Sequence, residues 1–89
     1  MRIEEVVKVF GDSNITLEEG YEYQILTSVG TRSIYHCKNR RRLTNEEYCK
    51  AHENHIISDY EEEGYEVLLS KTVIEKNIII TNLLIRKKK

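Results

Sequence analysis

The chain has 89 residues, 39% hydrophobic and 33% charged, with 14 Lys and Arg against 15 Asp and Glu and a formal net charge of -1. A chain this short buries only about 60–65% of the surface its unfolded form exposes, which leaves room for one small core and none for a second domain. Balanced charge excludes a polycation that coats DNA, the apolar content excludes a disordered tail, no run is long enough for a membrane helix, and the absence of proline excludes collagen-like and low-complexity chains.

In chain order, Ile3, Val6, Val7 and Phe10 have the i, i+3, i+4, i+7 spacing of an amphipathic helix face, with Gly11 at the expected stop, and helix is preferred to the strand that the β-favouring Val6, Val7, Val9 and Phe10 also allow. Gly11 to Asn14 then reads as a turn. Tyr21 to Thr27 alternates as a strand, Ser28-Val29-Gly30-Thr31 reads as a glycine-containing turn, and Arg32 to Lys38 reads as the returning strand of a hairpin. Lys38-Asn39-Arg40-Arg41-Arg42 leaves the sheet as a basic loop. Thr44-Asn45-Glu46-Glu47 matches the capping box of a helix that continues to Glu63, with Gly64 as its left-handed stop and Tyr65 folding back on the last turn. Cys49, Ile56 and Tyr60 share one narrow arc of that helix, with His52 and Ile57 at its edges, and this arc is expected to face the sheet. Tyr65 to Val73 alternates as a strand, Glu75 to Asn77 turns the chain, and Ile78 to Arg86 is greasy on both faces, as a central strand should be. Lys87 to Lys89 reads as a frayed tail.

These elements predict a single α+β domain over residues 1–89, with residues 1–20 as an N-terminal helix and turn, 87–89 as a basic tail, and the order α-β-β-α-β-β. One long helix then covers one face of a four-stranded antiparallel sheet. Leu26, Tyr35, Leu68, Ile78, Ile80 and Leu84 would fall on the opposite face, only partly capped by the first helix, and an open apolar patch there would call for a partner or a second copy of the chain. Glu4 and Glu5 stand where a secretory signal would need apolar residues, and two cysteines are too few for a secreted disulfide scaffold, so reduced thiols in a cytoplasm are expected.

Three short strings, Tyr21-Glu22-Tyr23-Gln24-Ile25-Leu26, Glu63-Gly64-Tyr65-Glu66-Val67 and Leu84-Ile85-Arg86-Lys87, resemble a family of small bacterial and phage domains of unknown function. Members open with a Tyr-x-Tyr strand, carry a Glu-Gly-(Trp/Tyr)-Glu junction after a long helix, and end in a hairpin with basic residues. The resemblance spans about Tyr21 to Lys87, departs at the second strand and the arginine loop, and implies a β-α-β-β core without implying an activity. An isoleucine-, lysine- and asparagine-rich composition, typical of A+T-rich codons, fits the same low-GC bacterial or phage source.

Chemistry-bearing residues fall into four groups. His36, Cys37, Cys49, His52 and His55 invite a zinc reading, with Cys37, Cys49 and His52 as its best ligands, but no Cys-x2-Cys knuckle exists and a small core cysteine explains Cys49 as well. Tyr48, His52, His55, Asp59 and Glu62 form a helix stripe in which Asp59 could orient His55 for acid–base work, against the plainer reading of a solvated face; no nucleophile or phosphate-binding motif accompanies it, so no enzyme and no cofactor are expected. Lys38, Arg40, Arg41 and Arg42 with Tyr35, and Lys87, Lys88 and Lys89, suit nucleic-acid backbone and base contacts, although the whole chain has no excess positive charge. The helix end Asp59-Tyr60-Glu61-Glu62-Glu63 with Tyr65 suits a basic protein surface, through steering and aromatic anchoring.

The favoured expectation is a small non-enzymatic regulator or inhibitor, phage-like, that binds a host macromolecule, with a host protein ahead of nucleic acid and no membrane. Nucleic-acid binding through residues 38–42 and the terminal lysines is the first alternative. A small-ligand binder at a subunit interface of a homodimer, using His52, His55 and tyrosines, is the second.

Overall fold

The computed structural model describes residues 1–12, 14–39 and 43–89, with the backbone alone at 36–39. The elements are α1 (Ile3–Phe10), β1 (Tyr21–Thr31), α2 (Arg32–Asn39), α3 (Asn45–Glu62), β2 (Glu66–Glu75) and β3 (Ile78–Lys88). The fold is α+β, but its antiparallel sheet has three strands in the order β1-β3-β2, and the element order is α-β-α-α-β-β. The four-stranded sheet expected from the sequence is therefore corrected.

That correction turns on one glycine. Gly30 does not turn the chain; β1 runs straight through it in continuous register with β3, from Tyr21 opposite Lys88 to Thr31 opposite Ile78. Its lack of a side chain serves a close approach instead: a Cβ there would lie 2.8 Å from Cδ2 and Nε2 of the buried His52. With the turn gone, Arg32–Asn39 has no strand to pair with and coils as α2, which places Tyr35 in the core beside Leu43, Tyr48 and Ile79.

The other elements follow their local chemistry. α1 ends at Gly11, whose φ of 71° and N–H bond to the Val7 carbonyl make the left-handed stop. α3 carries the full capping box: Thr44 Oγ1 accepts from the Glu47 N–H at 3.2 Å, and Glu47 Oε1 accepts from the Thr44 N–H at 3.1 Å. At its other end Gly64 has φ 92°, and the Tyr65 N–H returns to the Tyr60 carbonyl.

β3 lies in the middle and is covered on both faces. Ile79, Thr81, Leu83 and Ile85 point toward α3 and are fully buried; Leu84, on the reverse face, is fully buried too. α1 packs on β2 and buries Val6 completely. The rest of that reverse face is open: Val29 and Val73, both paired with Ile80, are 62% and 41% exposed, and Ile78 is exposed beside them. Of the residues assigned there from the sequence, Ile78, Ile80 and Leu84 fit, whereas Leu26 pairs with Leu83 on the α3 side and Tyr35 belongs to α2. The lysine tail is likewise corrected: Lys87 and Lys88 extend β3, and the Lys89 N–H donates to the Gly20 carbonyl.

Thr44→Ala removes one half of the capping box and leaves the Glu47 side chain unreciprocated. It should cost about 1 kcal/mol and lower the midpoint of thermal unfolding, followed by circular dichroism, by about 4–8 °C.

Candidate functional site

Two places in the molecule gather polar groups in a defined geometry. The first is internal. Glu53 on α3 accepts from Thr72 Oγ1 at 2.6 Å and from Ser70 Oγ at 2.9 Å. A carboxylate only accepts, so the Thr72 proton is committed to it and Thr72 accepts from Thr81 Oγ1 at 2.9 Å. Thr81 in turn accepts from Nδ1 of His52 at 2.7 Å, which assigns the neutral imidazole its Nδ1–H tautomer. The ring is 2% exposed, packed edge-on by Tyr35 with centroids 6.0 Å apart, and closed off by Gly30. Burial holds the His52 pKa below its usual value, and His55 pushes it further the same way. This chain of hydrogen bonds fixes α3 on β2 and β3, and its histidine has no face turned to a substrate. The stripe that was to be solvated is thus corrected at Tyr48 and His52, which are the two buried residues of α3, while Cys49, Ile56, Ile57 and Tyr60 are half-buried beside them.

The second place is a cleft of 890 Å³ at the end of the sheet where β1 begins. The approach to β1 supplies Glu18 and Glu19, β1 supplies Tyr21, Glu22 and Tyr23, Tyr65 closes it from just before β2, and Lys89 contributes a cation to the lining. Its aromatic wall already holds one cation: the Arg86 guanidinium lies 4.0 Å from the Tyr21 ring centroid and bonds Glu66 through Nε and Glu18 at 3.3 Å through an Nη atom. The Glu66 bond, followed by that to the Tyr23 hydroxyl, raises the Arg86 pKa above its ordinary value. Tyr65 is held by Tyr60, ring to ring at 6.0 Å, and by Lys87, whose Nζ is 5.1 Å from its centroid.

The residues expected to bind partners distribute as follows. Tyr60 and Tyr65 come together, and Tyr65 joins the acidic helix end to the cleft. Glu61, Glu62 and Glu63 are exposed alongside. Asp59 faces His55 across 3.6 Å, both more than half exposed, as a solvated i, i+4 pair does. Lys87 and Lys88 line a second, smaller cavity with Tyr21, Gly64, Glu66 and Arg86, where three cations stand beside one carboxylate. Arg40, Arg41 and Arg42 lie outside the described residues, as do the side chains of His36, Cys37 and Lys38. Tyr35 is buried rather than available to stack on a base.

For the zinc reading, the Cys49 thiol is pushed up by burial and by Glu53, with Arg32 opposing, which disfavours the thiolate a metal needs. Nδ1 of His52 is bonded to Thr81, and no group of three or more His, Cys, Asp or Glu among the described residues could hold an ion. Among the described residues no helix is long and apolar enough to cross a membrane. The reading from sequence missed Glu18, Glu19, Glu22, Tyr21 and Tyr23 as a site; the string Glu18-Glu19-Gly20-Tyr21-Glu22-Tyr23, acids interleaved with tyrosines, is the signal that marks them.

Comparison with known protein families, with curated proteins and with solved structures finds no match.

Gly30→Ala should force its methyl into the His52 ring and destabilise the fold by about 1–3 kcal/mol in urea unfolding, the usual cost of overpacking. The His52 ring also sets a pH dependence. Its folded pKa is depressed below 6.5, so its contribution to stability is complete above that value and is lost as pH falls through it, because the unfolded chain takes the proton first. The urea midpoint should therefore fall on going from neutral to mildly acid pH, and His52→Gln should flatten that slope.

Proposed function

We propose that this protein is a non-enzymatic binding module whose acidic, tyrosine-lined cleft, continued by the acidic end of α3, takes a basic segment of another protein. The observation that carries the reading is the lining itself: Glu18, Glu19 and Glu22 beside Tyr21, Tyr23 and Tyr65. Carboxylates steer a cation in, and tyrosine faces hold it by their quadrupole. The stacking of Arg86 on Tyr21 supplies the internal precedent. Tyrosine buries large area with few rotatable bonds, which suits it to anchor a partner.

The cleft lining sets three carboxylates against one cationic side chain, Lys89, a balance that disfavours phosphates in the cleft. The small-ligand alternative loses its histidines: His52 is sealed in the core, and His55 pairs with Asp59 on the surface of α3. A role as a regulator or inhibitor of a host protein is compatible with a binding module of this size, and the basic character of the cleft's ligand narrows the choice of target surface.

The test uses the chain's own fluorescence, which comes from six tyrosines with no tryptophan to mask them. Titration with a short arginine- and lysine-rich peptide at low salt should change the tyrosine signal saturably. The double variant Glu18→Lys/Glu19→Lys should bind at least about tenfold more weakly, and duplex DNA should not compete. Equal affinity in the double variant, or displacement of the peptide by DNA, would end this reading.

A further inference from the structure

We propose that the free edge of β1 pairs antiparallel with β1 of a second copy of this chain, joining two three-stranded sheets into one. This goes beyond the cleft reading, because the cleft-lining part of β1 stops at Gln24 and the edge in question runs from Ile25 to Thr31.

Backbone geometry identifies the edge. The ladder between β1 and β3 is flanked by the Lys89 N–H to Gly20 carbonyl bond and the Arg32 N–H to Asn77 carbonyl bond. Hydrogen-bonded pairs therefore fall at the even-numbered residues of β1, and the N–H and C=O groups of Ile25, Thr27 and Val29 point away from β3, while the Thr31 carbonyl begins α2. β1 has β3 as its one strand neighbour among the described residues, and none of the turn and cap backbone hydrogen bonds reaches Ile25, Thr27 or Val29.

The two edges of the sheet differ in their protection. β2 carries a register shift between Val67 and Leu69 and spreads Glu66, Lys71 and Glu75 along its length, all of which discourage an added strand. β1 has 11 residues, unbroken register, no proline, and one charge, Glu22, near its start. A long, flat, uncharged edge of this kind is a template for another strand.

Three further observations select a second copy of β1. The first is composition: Ile25, Thr27, Val29 and Thr31 present β-branched side chains on one face, so antiparallel self-pairing sets β-branched residues beside one another. The second is Val29, the most exposed large apolar side chain described at 62%, which stands at this edge and would be covered by the incoming strand. The third is charge. Glu18 and Glu19 precede β1 and Glu22 stands near its start, whereas α2, which follows it, begins with Arg32 and has no acid. Antiparallel pairing lays the basic end of each strand toward the acidic end of the other, twice over by symmetry, whereas parallel pairing would set like against like. The shape of the single chain agrees. Its radius of gyration is 14.4 Å, with extents of 46 × 26 × 16 Å, whereas a compact chain of this length would have about 12 Å.

Sedimentation equilibrium over a wide range of protein concentration tests the pairing. The expected result is a mass that rises toward twice the 10.5 kDa of one chain. Thr27→Pro removes an outward N–H and spares the β1–β3 ladder, so it should stay monomeric with an unchanged circular dichroism spectrum. Should proline perturb the fold, Val29→Lys provides the second variant, because that side chain is largely in solvent, and it should weaken association by at least about tenfold. Amide exchange at Thr27 and Val29 should slow as the wild-type concentration rises. A wild-type chain that stays monomeric throughout, or a dimer that survives a folded Thr27→Pro with no added protection at Thr27 and Val29, would overturn the proposal. Loss of self-association leaves peptide binding at Glu18 and Glu19 as a separate readout, so failure here and failure of the cleft reading are told apart.

Discussion

A sheet of three antiparallel strands has only one strand with both edges satisfied, and the rest of this structure depends on β3 taking that place. Its neighbours on either side consume its backbone groups, so its side chains can be apolar on both faces without exposing an edge to pair elsewhere. Ile79, Leu83 and Ile85 go to α3, and Leu84 goes to the reverse face. The cost falls on β1 and β2, each left with one open side. β2 is blunted by a bulge and by charge; β1 is not.

Within that frame a polar contact sets where α3 sits. A helix laid on an apolar surface can slide, because the hydrophobic effect has no direction. The run from Glu53 through Thr72 and Thr81 to His52 has direction, since the carboxylate can only accept and each hydroxyl has one proton to give. It holds the imidazole over Gly30, where a side chain would collide with it. Polar chains of this kind penalise every alternative register, in which one member would be left unpaired and buried.

Much of this was legible in the sequence, and the failures have a common origin. The capping box at Thr44, the stops at Gly11 and Gly64, the hairpin turn near Lys76 and the two-faced apolar run of β3 are local signals, and each element forms where its signal lies. Gly30 carries a local signal for a turn, but its reason for being glycine is His52, 22 residues later and on another element. Once that was misread, Arg32 to Lys38 had to become a strand to complete the hairpin. The face of α3 was misjudged by about one residue's rotation, from Cys49 and Ile56 to Tyr48 and His52, because a histidine is counted as polar until Thr81 is seen to satisfy it. The cleft escaped notice for the same reason. Tyr65 was read with the helix end, whereas its neighbours in space are the glutamates and tyrosines at the start of β1, more than forty residues earlier.

The distribution of charge then acquires a physical sense that the net value conceals. A formal charge of -1 hides segments of one sign: acids at Glu18 and Glu19 and at the end of α3, bases from Arg32 to Arg42 and at the C-terminus. Folding brings some of these together, as when Arg86 meets Glu18 and Glu66, and Glu22 stands opposite Lys87 in the ladder. Such pairs near the surface add little to stability, because water screens them and long side chains resist being fixed. Their effect is on which surfaces approach one another. Arg86 is taken up by Glu18 and Glu66, so Glu19, Glu22 and the exposed glutamates of α3 set the field at this end against Lys87, Lys88 and Lys89. A surface that is acidic and rich in tyrosine attracts cations and then offers them an aromatic face, which is the physical basis of the proposed binding role.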